Sequence, residues 1–312
     1  MKKKITNWQV VQVSRAFFNR VTLPGFQGLS IGYVMAFFRK AILKGSIQHR
    51  AAAMTYRVFF AIIPLLLTLF ATISFLGASV RLTVLDFIHS MVPAYVWPAI
   101  ENMITGIVNN QNGTLLSFSL LFSIFTVMKS VNTSINILNK TYYDTGKRPL
   151  SQQLKATMMI LLLWSIVIIM AITVFITAET YIYFIHLHKH PSPYLMETFI
   201  RIAKWLLLFT LVYLFISTFY YFAPAKRRHF KFFSVGSTFA TIAMVLVLAA
   251  MNVFFSNFGN YNALYGSLGA VFAILIWLYW NHMFILIGYD INVSIVTAKR
   301  SALRTQSTQD KP

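Results

Sequence analysis

The sequence predicts an all-α membrane protein with six transmembrane helices, an amphipathic interfacial helix before them, and both termini in the cytoplasm. Of the 312 residues, 57% are hydrophobic and only 11% are charged, under half of the roughly 25% usual in soluble domains. A soluble monomer of this length could not bury so much apolar surface. Long charge-free stretches and an alternation of basic loops are the other two observations behind this prediction.

Charge-free stretches give the positions of the membrane helices, each of which needs about 20 mostly apolar residues. Five candidate stretches lack Asp, Glu, Lys and Arg, namely residues 58–80, 113–128, 156–178, 205–225 and 232–289. The second span begins in 113–128 and continues towards Lys140. The last stretch is too long for one helix, and the turn-forming residues 256–262 divide it into a fifth and a sixth span. The sequence therefore predicts six spans.

Basic residues predict the orientation of these spans. Lys and Arg are concentrated before the first span and after the second, fourth and sixth, whereas the other loops hold few. The positive-inside rule then puts both termini in the cytoplasm. We expect residues 1–47 to form a cytoplasmic tail and interfacial helix, 48–298 the membrane domain, and 299–312 a basic cytoplasmic tail. The interfacial helix is expected within residues 31–44, where apolar residues recur at helical spacing beside basic ones.

Three charged residues are predicted to lie inside the membrane on three different helices. At about 1.5 Å per residue from the cytoplasmic ends, Arg57, Lys129 and Asp290 are roughly 10, 16 and 14 Å deep. A charge in the bilayer centre costs about 2.5–3.5 kcal/mol, so each of them requires a reason. One interpretation is a structural ion pair between Asp290 and Arg57 or Lys129. The other is that the surplus cation receives an anionic headgroup or ion.

A polar stripe runs along the second span. Lys129, Asn132 and Asn136 lie on one helical face, because their spacing is i, i+3 and i+7. Lipid cannot satisfy such a stripe, so it faces protein or water. Interhelical hydrogen bonds and a water-filled cleft open to the cytoplasm are both consistent with it. Elsewhere, Glu179 is interpreted as a solvated carboxylate at the outer surface, and hydrogen bonds to a neighbouring helix explain Asn281 and His282.

Three sequence motifs occur together in this chain. The first includes Arg50, Tyr56 and Pro64, and the second is residues 132–142. The third is the last hairpin, which ends in the sequence Gly288-Tyr-Asp-Ile-Asn292. The motif positions in the turn of this hairpin are Asn257, Gly259, Tyr261, Asn262, Tyr265 and Gly266. Together the three motifs resemble the YihY/BrkB family of bacterial inner-membrane proteins, over roughly residues 30–298.

The resemblance implies a six-helix inner-membrane protein with cytoplasmic termini. Members are linked to serum resistance and envelope lipid transport, and an earlier ribonuclease label is generally regarded as misassigned. The family usually has Gly-Ala-Glu-x-Asn in the last span, so this chain retains an acid at Asp290 and the amide of Asn292. At Arg57 the family more often has an uncharged residue, so the resemblance carries no role over to Arg57.

The sequence indicates no catalytic residue, cofactor or metal site. Metal-dependent phosphodiester cleavage needs grouped carboxylates or histidines, and the cytoplasmic candidates lack ligand spacing. We therefore expect transport or handling of an anionic lipid or other envelope solute, with anionic membrane lipids as partners and no specific nucleic acid. The alternative is a non-transporting scaffold or accessory protein of envelope biogenesis. Neither candidate function indicates an oligomeric state. The residues expected to line a cleft or bind a substrate are Lys129, Asn132, Asn136, Arg57, Asp290 and Asn292.

Overall fold

The computed structural model describes residues 22, 25–26, 28–44, 46–91, 97–140, 149–187, 193–225, 231–256 and 267–309. Within these ranges the regular structure is helical, apart from an isolated bridge between Thr22 and Ser30. The helices are α1 (Ile31–Lys44), α2 (Ile47–Ile73), α3 (Ala78–Met91), α4 (Trp97–Val108), α5 (Gly113–Asn139), α6 (Leu150–Leu187), α7 (Pro193–Phe222), α8 (Val235–Ser256) and α9 (Ser267–Gln309). The all-α class is confirmed. The turn motif positions from Asn257 to Gly266 lie outside the described residues.

Five helices of the described chain are long and apolar enough to cross a membrane, and they belong to α2, α5, α6, α7 and α9. The predicted fifth span falls on α8, whose apolar segment Val235–Met251 is shorter than these five. A membrane protein with several spanning helices therefore agrees with the sequence analysis. The count of six, the interfacial position of α1 and the orientation of the termini stay predictions.

Side-chain caps determine where α5 and α8 begin. Asn112 accepts a hydrogen bond from the Leu115 N–H over 2.9 Å, which satisfies one of the free donors at the start of α5. Before α8, the Ser234 hydroxyl accepts from the Ser237 N–H and the Ser237 hydroxyl accepts from the Ser234 N–H, both over 3.2 Å. This reciprocal arrangement resembles a capping box and explains why α8 starts at Val235.

The chain divides into two compact units. One unit consists of Met1–Ile47, Ile135–Ala243 and Phe284–Pro312, and its apolar cluster joins α1 to α9 through Phe26, Val34, Ile295 and Ala298. The other consists of Gln48–Ser134 and Met244–Met283. In this second unit α3 and α4 pack on the end of α2 through a cluster centred on Phe70, Ile73, Ile104 and Val108.

Candidate functional site

Gly288 and Gly236 mark a close crossing between α9 and α8. A Cβ atom on Gly288 would lie 2.4 Å from the carbonyl oxygen of Gly236 and 2.7 Å from the Tyr220 hydroxyl. A Cβ atom on Gly236 would lie 1.9 Å from the carbonyl oxygen of Gly288. All three distances are far below van der Waals contact, so only glycine permits the two backbones to approach this closely.

Asn292 lies one turn after Gly288 and forms hydrogen bonds with the first turn of α8 and the residue before it. Its Oδ1 accepts a hydrogen bond from the Gly236 N–H over 2.9 Å, and its Nδ2 donates to the Ser234 hydroxyl over 2.8 Å. Only 6% of Asn292 is exposed. These two contacts use both polar groups of the side chain, so they account for an asparagine at this position without a ligand.

Asp290 lies between these two residues and is fully buried. Its backbone carbonyl accepts a hydrogen bond from the Ser294 hydroxyl over 2.6 Å. The preceding residue, Tyr289, is also buried and packs edge-on against Tyr220, with ring centroids 5.7 Å apart. The carboxyl group of Asp290 is therefore surrounded by protein and is not exposed on the outer surface of the helix.

The predicted stripe on α5 contains residues with different surroundings. Lys129 and Asn136 are exposed, whereas Asn132 is half-buried. The Lys129 ammonium lies 5.3 Å from the centroid of the Phe125 ring. Asn136 accepts a hydrogen bond from Gln153 Nε2 on α6 over 2.7 Å, which is the interhelical bond that one interpretation predicted. Of these two exposed residues, Asn136 is thus bonded to a neighbouring helix, whereas Lys129 lies beside a ring of its own helix.

Asn139, which the sequence analysis did not single out, forms hydrogen bonds that link the end of α5 to the end of α7. Its Nδ2 donates to the carbonyl of Ala223 over 3.1 Å, and its Oδ1 accepts from the N–H of Ala225 over 2.9 Å. A single asparagine thus satisfies backbone groups just beyond the end of α7, where intrahelical partners are missing. Its spacing of three residues from Asn136 was the signal in the sequence.

The first motif places its residues on α2. Arg57 and Tyr56 are exposed, and the Arg57 guanidinium lies 5.8 Å from the centroid of the Tyr56 ring. Pro64 is buried inside the helix, and its carbonyl accepts a hydrogen bond from the Thr68 hydroxyl over 2.8 Å. Arg50 is half-buried in the first turn of α2. Arg57 thus lies on an exposed face of α2 beside Tyr56.

His282 forms the hydrogen bond to a neighbouring helix that its position in the last span predicted. Its Nδ1 lies 3.1 Å from the hydroxyl of Thr55 on α2, and both side chains are buried. The Thr55 hydroxyl also donates to the Ala51 carbonyl over 2.9 Å. Asn281 donates to the Trp277 carbonyl of its own helix over 2.6 Å, so its described bond is not interhelical.

An ion pair between a buried lysine and an exposed carboxylate joins α6 to α7, and the sequence analysis missed it. Lys204 Nζ lies 2.5 Å from Glu179 Oε1, and the ammonium is also 5.0 Å from the Phe175 ring centroid. Lys204 is 5% exposed, whereas the Glu179 side chain is 45% exposed. The exposure of Glu179 agrees with its interpretation as a solvated carboxylate, and the structure adds the pairing with Lys204 that the sequence did not indicate. Their positions could have indicated the pair. Glu179 lies eight residues before the end of α6 and Lys204 lies eleven residues after the start of α7, so the two side chains are at similar distances from the loop that joins these helices.

The described residues contain no group of three or more His, Asp or Glu side chains that could hold a metal ion. Comparison with known proteins then identifies the family. The family model described as Virulence factor BrkB matches residues 38–312, which is most of the chain. The chain belongs to the BrkB family. This result confirms the resemblance drawn from the three motifs.

The relatives of this BrkB family member include proteins named as membrane proteins and one named as ribonuclease-like. The chain is 26% identical over 260 residues to YfkH of Bacillus subtilis (strain 168), a protein whose name describes it as ribonuclease-like, covering 81% of this chain and 91% of YfkH. It is 21% identical over 285 residues to a UPF0761 membrane protein of Alteromonas mediterranea, covering 90% and 92%. A UPF0761 membrane protein of Chromohalobacter salexigens is 24% identical over 262 residues, covering 81% and 61%. No solved structure matches the chain.

Proposed function

We propose that this BrkB family protein spans the bacterial inner membrane six times, with both termini in the cytoplasm, and transports or handles an anionic lipid or another anionic envelope solute. The alternation of basic loops supports the orientation. α8 serves as the fifth span in this proposal, since its 22 residues are long enough to cross the hydrocarbon core. The exposed apolar residues of α1, Met35 at 50% and Leu43 at 76%, favour an interfacial position for that helix.

The observation that carries the proposed activity is the position of Lys129. This lysine is exposed on an apolar helix of 27 residues, eleven residues from Lys140 at its end. No ion pair to Lys129 occurs within the described part of the chain. A cation at this depth is expensive in lipid and requires an anion or water from outside the helix. An anionic substrate that passes or rests at this point satisfies that requirement.

The second candidate function is a non-transporting scaffold or accessory protein of envelope biogenesis. The hydrogen bonds of Asn136 with Gln153 and of Asn292 with Gly236 favour it, because a closed and satisfied bundle has bonds of this kind. Nuclease activity is not part of the proposal. Cleavage of precursor tRNA by the purified protein tests this point, and the cleavage should not exceed the background of a mock preparation.

The experiment that tests the proposal is the identification of molecules bound to protein extracted gently from its native membrane, by mass spectrometry. The wild-type protein should retain anionic lipid or another anionic solute, and Lys129→Ala should retain several-fold less while still folding. Lys155→Ala is the matched control, because Lys155 is an exposed lysine on a different helix, α6. Equal retention by all three proteins would contradict the proposal and leave the scaffold as the better function.

A further inference from the structure

The two sides of α5 differ sharply in the size of their side chains. Small hydroxyl residues are buried at spacing i, i+4, i+7 and i+11, namely Ser119, Ser123, Thr126 and Ser130. One residue earlier at each step, the larger side chains are exposed, namely Phe118, Phe122, Phe125 and Lys129. The helix therefore packs on the protein through its small residues, as membrane helices commonly do, and leaves an aromatic stripe uncovered.

The exposed stripe is continuous and ends in a cation. Phe118, Phe122 and Phe125 are 64%, 37% and 57% exposed. The rings of Phe118 and Phe122 stack with centroids 5.9 Å apart, and the Lys129 ammonium lies 5.3 Å from the centroid of Phe125. The stripe thus presents three apolar rings followed by one positive charge along a single line of the helix.

The direction of the Lys129 side chain separates it from an ordinary interfacial lysine. Lysines near a membrane surface extend their ammonium group towards the headgroups. Here the ammonium lies over Phe125, one turn towards the start of α5, in the direction that helical side chains normally lean. In the proposed orientation the start of α5 is external, so the charge points away from the cytoplasmic surface. In this position the charge requires an anion or water as its partner within the membrane.

We infer that Phe118, Phe122, Phe125 and Lys129 form a binding site for an anionic phospholipid, with one acyl chain along the three rings and the phosphate at Lys129. This inference rests on the proposed function and specifies its ligand. From Lys129 to Phe118 the stripe measures about 16 Å, at about 1.5 Å per residue. That length is about half of the roughly 30 Å hydrocarbon core, which is the depth covered by the acyl chains of one leaflet.

A phospholipid fits this stripe better than a soluble anion does. A soluble anion would pair with Lys129 but would gain nothing from the adjacent rings. Ordinary lipid would cover the rings but would leave the cation without a partner. Only an amphiphile with a negative headgroup matches both parts of the stripe in the observed order, and its tail would point towards the external end of α5.

The test uses full-length protein in nanodiscs that contain either phosphatidylcholine alone or phosphatidylcholine with phosphatidylglycerol. Both discs carry trace lipid of the corresponding headgroup with a photoactivatable acyl chain. We expect several-fold more cross-linking of α5 peptides by the phosphatidylglycerol probe than by the phosphatidylcholine probe. Lys129→Ala should abolish this preference and Lys129→Arg should retain it. Phe122→Ala should reduce labelling of α5, while the control Phe272→Ala, which changes a half-exposed ring on α9, should not.

The outcomes separate this inference from the proposed function. Equal labelling of α5 by both probes means annular lipid only and overturns the inference. A second outcome is that phosphatidylglycerol is preferred in a Lys129-dependent way but its probe labels helices other than α5. That outcome also overturns the inference, while the proposed function survives. Displacement of the anion-dependent signal by millimolar inorganic phosphate identifies a soluble anion and overturns the lipid assignment. If the wild type has no preference for either disc and phosphate does not bind, both proposals fail.

Discussion

Asn292 on α9 accepts a hydrogen bond from the backbone N–H of Gly236 on α8, over 2.9 Å. Four residues earlier, Gly288 meets the same Gly236, where neither residue has room for a Cβ atom. The glycine and the asparagine of the motif that ends the last hairpin thus act on one point of α8. One permits the close approach of the two helices, and the other satisfies the backbone that this approach exposes.

Gly288→Ala should destabilise the protein. The new Cβ would lie 2.4 Å from the Gly236 carbonyl oxygen, and backbone atoms cannot move aside as a flexible side chain can. Overpacking of this kind costs about 1–3 kcal/mol. Thermal unfolding in detergent should therefore show a lower midpoint than wild type. Gly106→Ala is the control, because nothing lies within 4 Å of a Cβ there; similar midpoints for the two variants would refute the close crossing.

Substitutions of Asn292 should rank by the hydrogen bonds that they preserve. Asn292→Leu removes the acceptor for the Gly236 N–H and the donor to Ser234, and an unsatisfied buried group costs about 1–3 kcal/mol. Asn292→Asp retains the acceptor and adds negative charge at a helix N-terminus, which is favourable. We expect unfolding midpoints in the order wild type, Asp, Leu. If Asn292→Leu were as stable as wild type, the cap would not contribute to folding.

The sequence was sufficient for the helices and for part of the candidate site. Charge-free stretches mark α2, α5, α6, α7 and α9 because membrane helices must be apolar on most sides. The use of charge-free stretches made the predicted spans in α6 and α7 too short. A stretch that stops at the first charged residue excludes Glu179 and Lys204. The structure extends these helices to 38 and 30 residues, and the two charges pair inside them.

Contacts between distant residues were beyond sequence reasoning. Asn292 and Gly236 are separated by 56 positions, and no local pattern indicates that one caps the helix of the other. The periodicity of α5 identified Lys129, Asn132 and Asn136 as one face, but it could not tell that Gln153 bonds to Asn136 while Lys129 stays exposed. A helical face is a property of spacing, whereas the partner of each residue depends on tertiary packing.

Reporter fusions should place the loops on opposite sides of the membrane. Fusions at residues 110 and 260 should be active as external reporters, and a fusion at residue 228 as a cytoplasmic one, because basic residues remain in the cytoplasm during insertion. Paired reporters that are active only outside or only inside the cell provide the measurement. An external position for residue 228 would reverse the orientation, and matching sides for 228 and 260 would remove α8 as a span.

The two halves of the Lys204–Glu179 pair should respond unequally to substitution. Lys204 is 5% exposed, so Glu179→Gln leaves a buried ammonium without its carboxylate. Removing one partner of a fully buried pair typically costs about 3–5 kcal/mol, and the exposure of Glu179 should reduce the cost below that range. Lys204→Met leaves a carboxylate that is 45% exposed and can be solvated at the membrane surface, while methionine still packs against Phe175. We therefore expect Glu179→Gln to lower the unfolding midpoint more than Lys204→Met does.

The double variant supplies the decisive comparison for this pair. Glu179→Gln combined with Lys204→Met has no charge left to bury, so its midpoint should recover to near that of Lys204→Met alone. The control is Glu197→Gln, which breaks the pair with Arg201 on the same helix, where the arginine is 54% exposed and remains hydrated. Two results would contradict this explanation: a midpoint of the double variant that is lowered by the sum of the two single losses, or an equal lowering by Glu197→Gln and Glu179→Gln. Either result would mean that the burial of Lys204 does not determine the loss of stability.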